Sequence, residues 1–206
     1  MKSFIKYHIE TLRLVVSAVP ASVWFLPPVT FLVLYGLTAS PLVWFMSKQI
    51  QEIVAPTIVG IAALAALSTH IWIRQYFTLM TVLFVWSLFL RELHLDFTEH
   101  GIYLALLGLC WWASSKRNDL ISFGISRQMA FFFSAALLTY ALTDIVDRKV
   151  LRPLEFVLGP ESDWQHQIEE TGESLGHLFV FGFVLCTLWR GAFSTAHRQT
   201  AEPNAP

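Results

Sequence analysis

Residues 75–97 read QYFTLMTVLFVWSLFLRELHLDF, and the placement of this stretch decides the fold. From Gln75 to Leu90 nothing is charged, and then Arg91, Glu92, His94 and Asp96 follow within six residues. If the run crosses a bilayer, those four groups sit where ionisable side chains are expensive and need partners.

The rest of the chain agrees that it does. Of 206 residues, 55% are hydrophobic and only 14% charged, with a mean hydropathy of +0.54. A soluble domain of this length carries about 25% charged residues. The charges here fall in clusters, separated by uncharged runs of roughly 15 to 21 residues. The pattern is that of an all-α, polytopic membrane helix bundle. The ten-residue alternation of an outer-membrane barrel is absent. A net charge of −1, with no basic patch interleaved with aromatics, excludes a nucleic-acid partner. Lys2, Lys6 and Arg13 precede an apolar segment longer than a signal core, so the first segment reads as a retained span. Cys110 and Cys186, isolated in apolar runs, read as a pair of buried free thiols.

Six spans are expected, near residues 14–36, 53–73, 75–93, 101–115, 128–146 and 174–190. Within residues 14–47, Pro20, Pro27, Pro28 and Pro41 predict one kinked helix followed by an interfacial or re-entrant piece. Residues 1–194 form a single membrane domain, and TAEPNAP predicts a disordered tail from Thr195. With the N-terminus in the cytoplasm, Lys2, Lys6, Arg13, Arg74, Lys116, Arg117, Arg127, Arg190 and Arg198 lie inside. Lys48, Arg91, Arg148, Lys149 and Arg152 then lie outside, a bias that fits a multi-pass inner-membrane protein. The acids divide more sharply, since only Glu10, Asp119 and Glu202 fall inside.

The outer acids form stripes. If the third helix continues past Leu90, Glu92 and Asp96 share a face, and His100 extends the line by another turn. Tyr140, Asp144 and Asp147 repeat the spacing on the fifth helix. His166, Glu170, Glu173 and His177 hold one face of the sixth for three turns, and His177 lies within the apolar span itself. Acids near the start of the sixth helix are ordinary, because the helix dipole favours them there. Glu92, Asp96 and Asp144 stand at helix C-termini, where it does not; Arg91 and Arg148 are the nearby cations that could compensate.

Carboxylates with imidazoles suit a divalent metal such as Zn, Mn or Fe. The stripes therefore predict a metal site at the outer boundary built from Glu92, Asp96, Asp144, Glu173 and His177. Glu170 or Asp96 would be the general base of a metal-dependent hydrolase acting on membrane lipids or a lipid-like substrate. No HExxH, paired ExxH or CxxC supports that chemistry more specifically. Two alternatives use the same acids: a non-catalytic subunit or assembly factor docking a membrane-protein partner, and a cation or proton transporter. The inner halves of the third, fifth and sixth helices carry only Thr, Ser and Cys as polar groups, which argues against a through-pathway. His70 reads as structural, and Ser126 in GISRQ (residues 124–128) as a helix N-cap.

Overall fold

The computed structural model describes residues 6–201 apart from 8, 11–12, 14–16, 18, 94–97, 119–122, 149 and 152–163. Of residues 98–106 and 193–201 it describes the backbone only. Every element among the described residues is helical. A 3-10 segment, Ala21–Phe25, leads into α1, Leu26–Thr38. A second 3-10 segment, Pro41–Met46, leads into α2, Lys48–Ile73. Then come α3, Tyr76–Glu92; α4, Thr98–Ser115; α5, Arg127–Asp147; and α6, Gln165–Ala201.

Among the described residues, four stretches are long and apolar enough to cross a membrane: Ala21–Thr38, Lys48–Ile73, Arg127–Asp147 and Gln165–Ala192. Helix α3 has 17 residues, about 25 Å at 1.5 Å per residue against a hydrocarbon core of about 30 Å.

Local chemistry accounts for the joints. Pro27 and Pro28 sit in the first turn of α1, where a missing N–H costs nothing. The 3-10 segment at Pro41–Met46 follows Ser40, whose hydroxyl accepts from the Leu42 N–H. Of the kinked helix and following piece expected over residues 14–47, the structure describes α1 from Leu26 and the segment Pro41–Met46, while residues 14–16 and 18 lie outside the described residues. Ser126 caps α5 by accepting from the Met129 N–H at 3.2 Å, as the sequence suggests.

Helices α2 and α3 form an antiparallel hairpin across a two-residue link. Arg74 takes the left-handed conformation (φ 52°), its N–H bonding back to His70 O at 2.8 Å. Gln75 and Thr78 then cap α3 reciprocally. His70 Nδ1 meets Thr78 Oγ1 at 2.9 Å, the structural role expected of it. Near the far end Gly60 lies against the Phe89 ring, so the two helices run side by side over most of their length.

Helix α6 is the centre of the assembly. It packs along α5 and α2, with α1 alongside, while α4 reaches the bundle through α3. Small α2 residues (Ala62, Ala63, Ala66) face Val82, Val85, Leu88, Ala136, Val180 and Val184, which lets the backbones approach closely. Large apolar residues such as Leu32, Leu64, Trp111 and Trp189 point outward. Phe132 and Phe133 do not join them: both pack on the Phe77–Phe123–Met129–Phe183 cluster. Cys110 and Cys186 are free thiols, Cys110 exposed rather than buried.

Three expected boundaries move. Helix α2 begins at Lys48 instead of residue 53, so Lys48 and Glu52 form a first-turn pair at 3.8 Å. Helix α3 stops at Glu92 with a turn at Leu93, and the expected continuation through Asp96 lies outside the described residues. Helix α6 remains helical to Ala201, past the Thr195 where a disordered tail was expected.

Candidate functional site at one end of the bundle

The segment Gln165–His177, QHQIEETGESLGH, forms the first turns of α6. Its ionisable row sinks into the bundle as it proceeds. The His166 side chain is 80% exposed, Glu170 half-buried, Glu173 20% exposed and His177 fully buried. The inward-turning row is the part of the sequence pattern that the structure reproduces.

Its partners come from the end of α3. Arg91 and Glu92 are consecutive, and each reaches one member of the α6 row. The Arg91 guanidinium donates to Glu173 Oε1 at 2.6 Å. Beneath it, Glu92 Oε1 lies 3.2 Å from His177 Nε2, with the Glu92 side chain 8% exposed. The signs alternate on both helices, and one turn of α6 (Glu173 to His177) matches one residue step on α3. Arg91 at the C-terminus of α3 and Glu173 near the start of α6 suit the two dipoles; Glu92 does not, and needs the imidazole.

A third helix closes the cluster. Tyr140 of α5 places its hydroxyl 2.6 Å from His177 Nδ1. The result is a chain of carboxylate, imidazole and phenol across α3, α6 and α5. With the ring proton on Nε2, toward Glu92, Nδ1 accepts from the Tyr140 O–H. A second proton makes the ring an imidazolium facing a carboxylate, and the Tyr140 oxygen becomes the acceptor. The imidazole therefore has a partner in either state. The Nε2–Oε1 contact is close enough for charge attraction but out of line for a hydrogen bond. A resting acid–base pair commonly has such an approach.

Neutral contacts hold the frame around this chain. Gln51, fully buried in α2, accepts from the Ser174 hydroxyl at 2.5 Å and donates to Phe45 O at 2.7 Å. One amide thus ties the 3-10 segment, α2 and α6 together. Gln165 donates to Asp147 O at 3.1 Å, fixing the start of α6 on the end of α5. Trp164 and Ile168 pack on Leu34, Leu142 and Val146 beside it.

The four expected metal ligands that are described do not all converge. Glu92, Glu173 and His177 lie together, but the Glu173 carboxylate is engaged by Arg91. Asp144 is 48% exposed and held by its own neighbour Arg148, 3.0 Å from both carboxylate oxygens. Its side chain turns outward, although Thr143 and Val146 on either side of it are buried. Asp96 lies outside the described residues. Glu170, the other expected base, sits at the mouth, where Glu173, Lys48, Glu52 and Glu92 act on it through space. Among the described residues no three His, Cys, Asp or Glu side chains are arranged to hold a metal ion. Among the described residues, the carboxylate–imidazole pair of Glu92 and His177 is two donors short of a structural tetrahedral site.

Two contributors are not evident from spacing alone. Tyr140 stands in a stripe with two aspartates, so the acids draw attention from the phenol. Gln51 stands among Lys48, Gln49 and Glu52 near a span boundary, and nothing in the sequence pairs it with Ser174. A polar residue inside an apolar helix is the available signal for Tyr140 alone. No protein-family model, curated protein or solved structure matches this chain.

Proposed function

We propose that this is a six-pass integral membrane protein of a bacterial-type inner membrane, with a cytoplasmic N-terminus and a one-sided acid–base centre facing outward. The four long apolar stretches carry the membrane assignment. The hairpin supports two more crossings: if α2 spans, α3 lies beside it from Thr78 to Phe89. Its polar end, Arg91 and Glu92, then lies at the boundary, and α4 returns the chain.

In this centre His177 is the proton acceptor. Glu92 stabilises the imidazolium, Tyr140 fixes the ring, and the Arg91–Glu173 pair forms the mouth. The single observation that carries the reading is a fully buried histidine approached at both ring nitrogens, by an acid and by a phenol. Ionisable groups at this depth are costly unless function retains them. The reaction class it serves is hydrolysis of a lipid-like substrate from the outer leaflet. Water attacks and gives its proton to the Tyr140 oxygen as the Tyr140 proton moves to His177 Nδ1, and the reverse relay returns a proton to the leaving group. This scheme uses no metal ligand set, in keeping with the donor arrangement.

The second reading is a non-catalytic subunit or assembly factor. It is favoured by Glu173 and Asp144 each being neutralised by an arginine, as structural ion pairs are. Transport ranks last. Below His177 the bundle closes on Val59, Val85, Val180 and Val184, and the Thr69, Thr81 and Thr187 hydroxyls bond to carbonyls of their own helices.

The deciding experiment is a screen of detergent-solubilised protein against lipid esters, amides and phosphoesters, with and without chelator. Turnover that falls about 100-fold or more in His177→Asn, with or without chelator, is the expected result. Turnover unchanged in that variant removes the acid–base reading. No turnover in any class, with a partner protein co-purifying stably, establishes the subunit.

A further inference from the structure

Gly176 directly precedes His177, and its surroundings are tight. A Cβ built there would lie 2.5 Å from Cε1, 2.9 Å from Cδ1 and 2.9 Å from Cζ of the Tyr140 ring. One turn earlier, a Cβ on Gly172 would lie 2.5 Å from the Thr143 methyl. Gly172 and Gly176 thus form a notch on α6, and Tyr140 and Thr143, one turn apart on α5, fill it. The notch is what lets a phenol from a neighbouring helix cross α6 beside the imidazole. Its ring centroid is 5.5 Å from that of His177, and its hydroxyl reaches Nδ1 at 2.6 Å. Any side chain at 176 must displace the ring edge. The ring packs against the cluster that holds Ala136 and Val180, so a shift away from position 176 disturbs that packing.

We infer that Gly176 is a positioning residue, whose missing side chain sets the Tyr140 hydroxyl on His177 Nδ1 and so fixes the imidazole's orientation toward Glu92. Gly172 serves the same helix crossing but not the hydrogen bond. The two glycines, alike in sequence and both in the packed face, therefore have separable consequences. The inference deepens the acid–base reading above, yet its test reads the ring itself and needs no substrate. Failure of one is thus distinguishable from failure of the other.

The test is nitrogen NMR of ring-labelled histidine in the full-length protein in lipid, across pH, for five forms. These are the wild type, Tyr140→Phe, Gly176→Ala, Gly172→Ala, and Gly176→Ala with Tyr140→Phe. The His177 signals of Gly176→Ala are expected to move to the values of Tyr140→Phe, while those of Gly172→Ala stay near wild type. In the Tyr140→Phe background, Gly176→Ala is expected to add no further change. Wild-type His177 signals in Gly176→Ala, when Tyr140→Phe has moved them, would overturn the inference. So would an equal displacement in Gly172→Ala. If Gly176→Ala does not fold, shrinking the obstructing ring in Gly176→Ala with Tyr140→Val is expected to restore folding. Failure of that pair to recover would place the defect elsewhere and overturn the assignment.

Discussion

The two ends of the bundle solve the same problem differently. At the end holding residues 70–78, the fully buried polar groups are neutral hydroxyls mostly satisfied within one helix. The cations Arg74 and Lys116 stay at least partly exposed there, Arg74 donating to Ile71 O and Lys116 lying over the Tyr76 ring. Thr69, Thr81 and Thr187 each bond to a carbonyl four residues earlier, and His70 with Thr78 makes a short-range link across the α2–α3 turn. At the other end the partners come from elements far apart in sequence: Arg91 with Glu173, Glu92 with His177, Tyr140 with His177, and Gln51 with Ser174. A hydroxyl can satisfy itself on its own backbone, whereas a buried charge must find an opposite charge on another helix. The second end is therefore where sequence order and three-dimensional contact part company, and where loss of one group harms another.

That contrast can be broken by mutation. The largest effect is expected from Glu92→Ala, which leaves His177 in the core without its acid. Removing one member of a buried pair costs about 3–5 kcal/mol, read as a loss of thermal stability in detergent. Thr187→Val, equally buried but self-satisfied, should cost about 1 kcal/mol or less. Equal losses at the two ends would erase the distinction. Next comes Ser174→Ala, which strands the Gln51 carbonyl; an orphaned buried acceptor costs about 1–3 kcal/mol, measurable by the same melt. Thr78→Val, which removes the hydrogen-bond partner of His70 at the opposite end, is expected to cost about 1 kcal/mol. The smallest effect belongs to Asp144→Asn. Its pair with Arg148 is exposed, and such pairs contribute about 0–1 kcal/mol. A large loss there would mean that Asp144 has a role inside the bundle after all.

The same contrast explains what could be read from the sequence. Helix type and the apolar stretches follow from composition and the spacing of charges, because bilayer thickness sets a length that any span must meet. The inward row His166–Glu170–Glu173–His177 was legible too, since a three-turn helical stripe ending within an apolar run has one economical placement. The Tyr140–Asp144–Asp147 stripe has equally good spacing but divides: Tyr140 turns inward, and Asp144 goes to Arg148 at the surface. Spacing groups residues on a helix but does not fix which of them the bundle covers: Thr143 and Val146 on either side of Asp144 are buried, while Asp144 is 48% exposed. Which arginine neutralises which acid was also hidden. Arg91 is adjacent in sequence to Glu92 but reaches Glu173 on α6, and only the packing of α3 near α6 reveals that. A metal site was expected because acids at helix C-termini need neutralisation; among the described residues, Arg91, Arg148 and the His177 imidazole stand beside Glu173, Asp144 and Glu92.

The account rests on α3 and α6 meeting through Arg91 and Glu173 above the Glu92–His177 pair. The most direct test is a charge exchange followed by the thermal stability of purified protein. Arg91→Glu alone and Glu173→Arg alone should each destabilise the fold, by placing like charges together. Arg91→Glu combined with Glu173→Arg should recover most of the loss. If the double variant is no more stable than the sum of the two single losses predicts, the two groups do not meet, and the buried centre beneath them has no mouth.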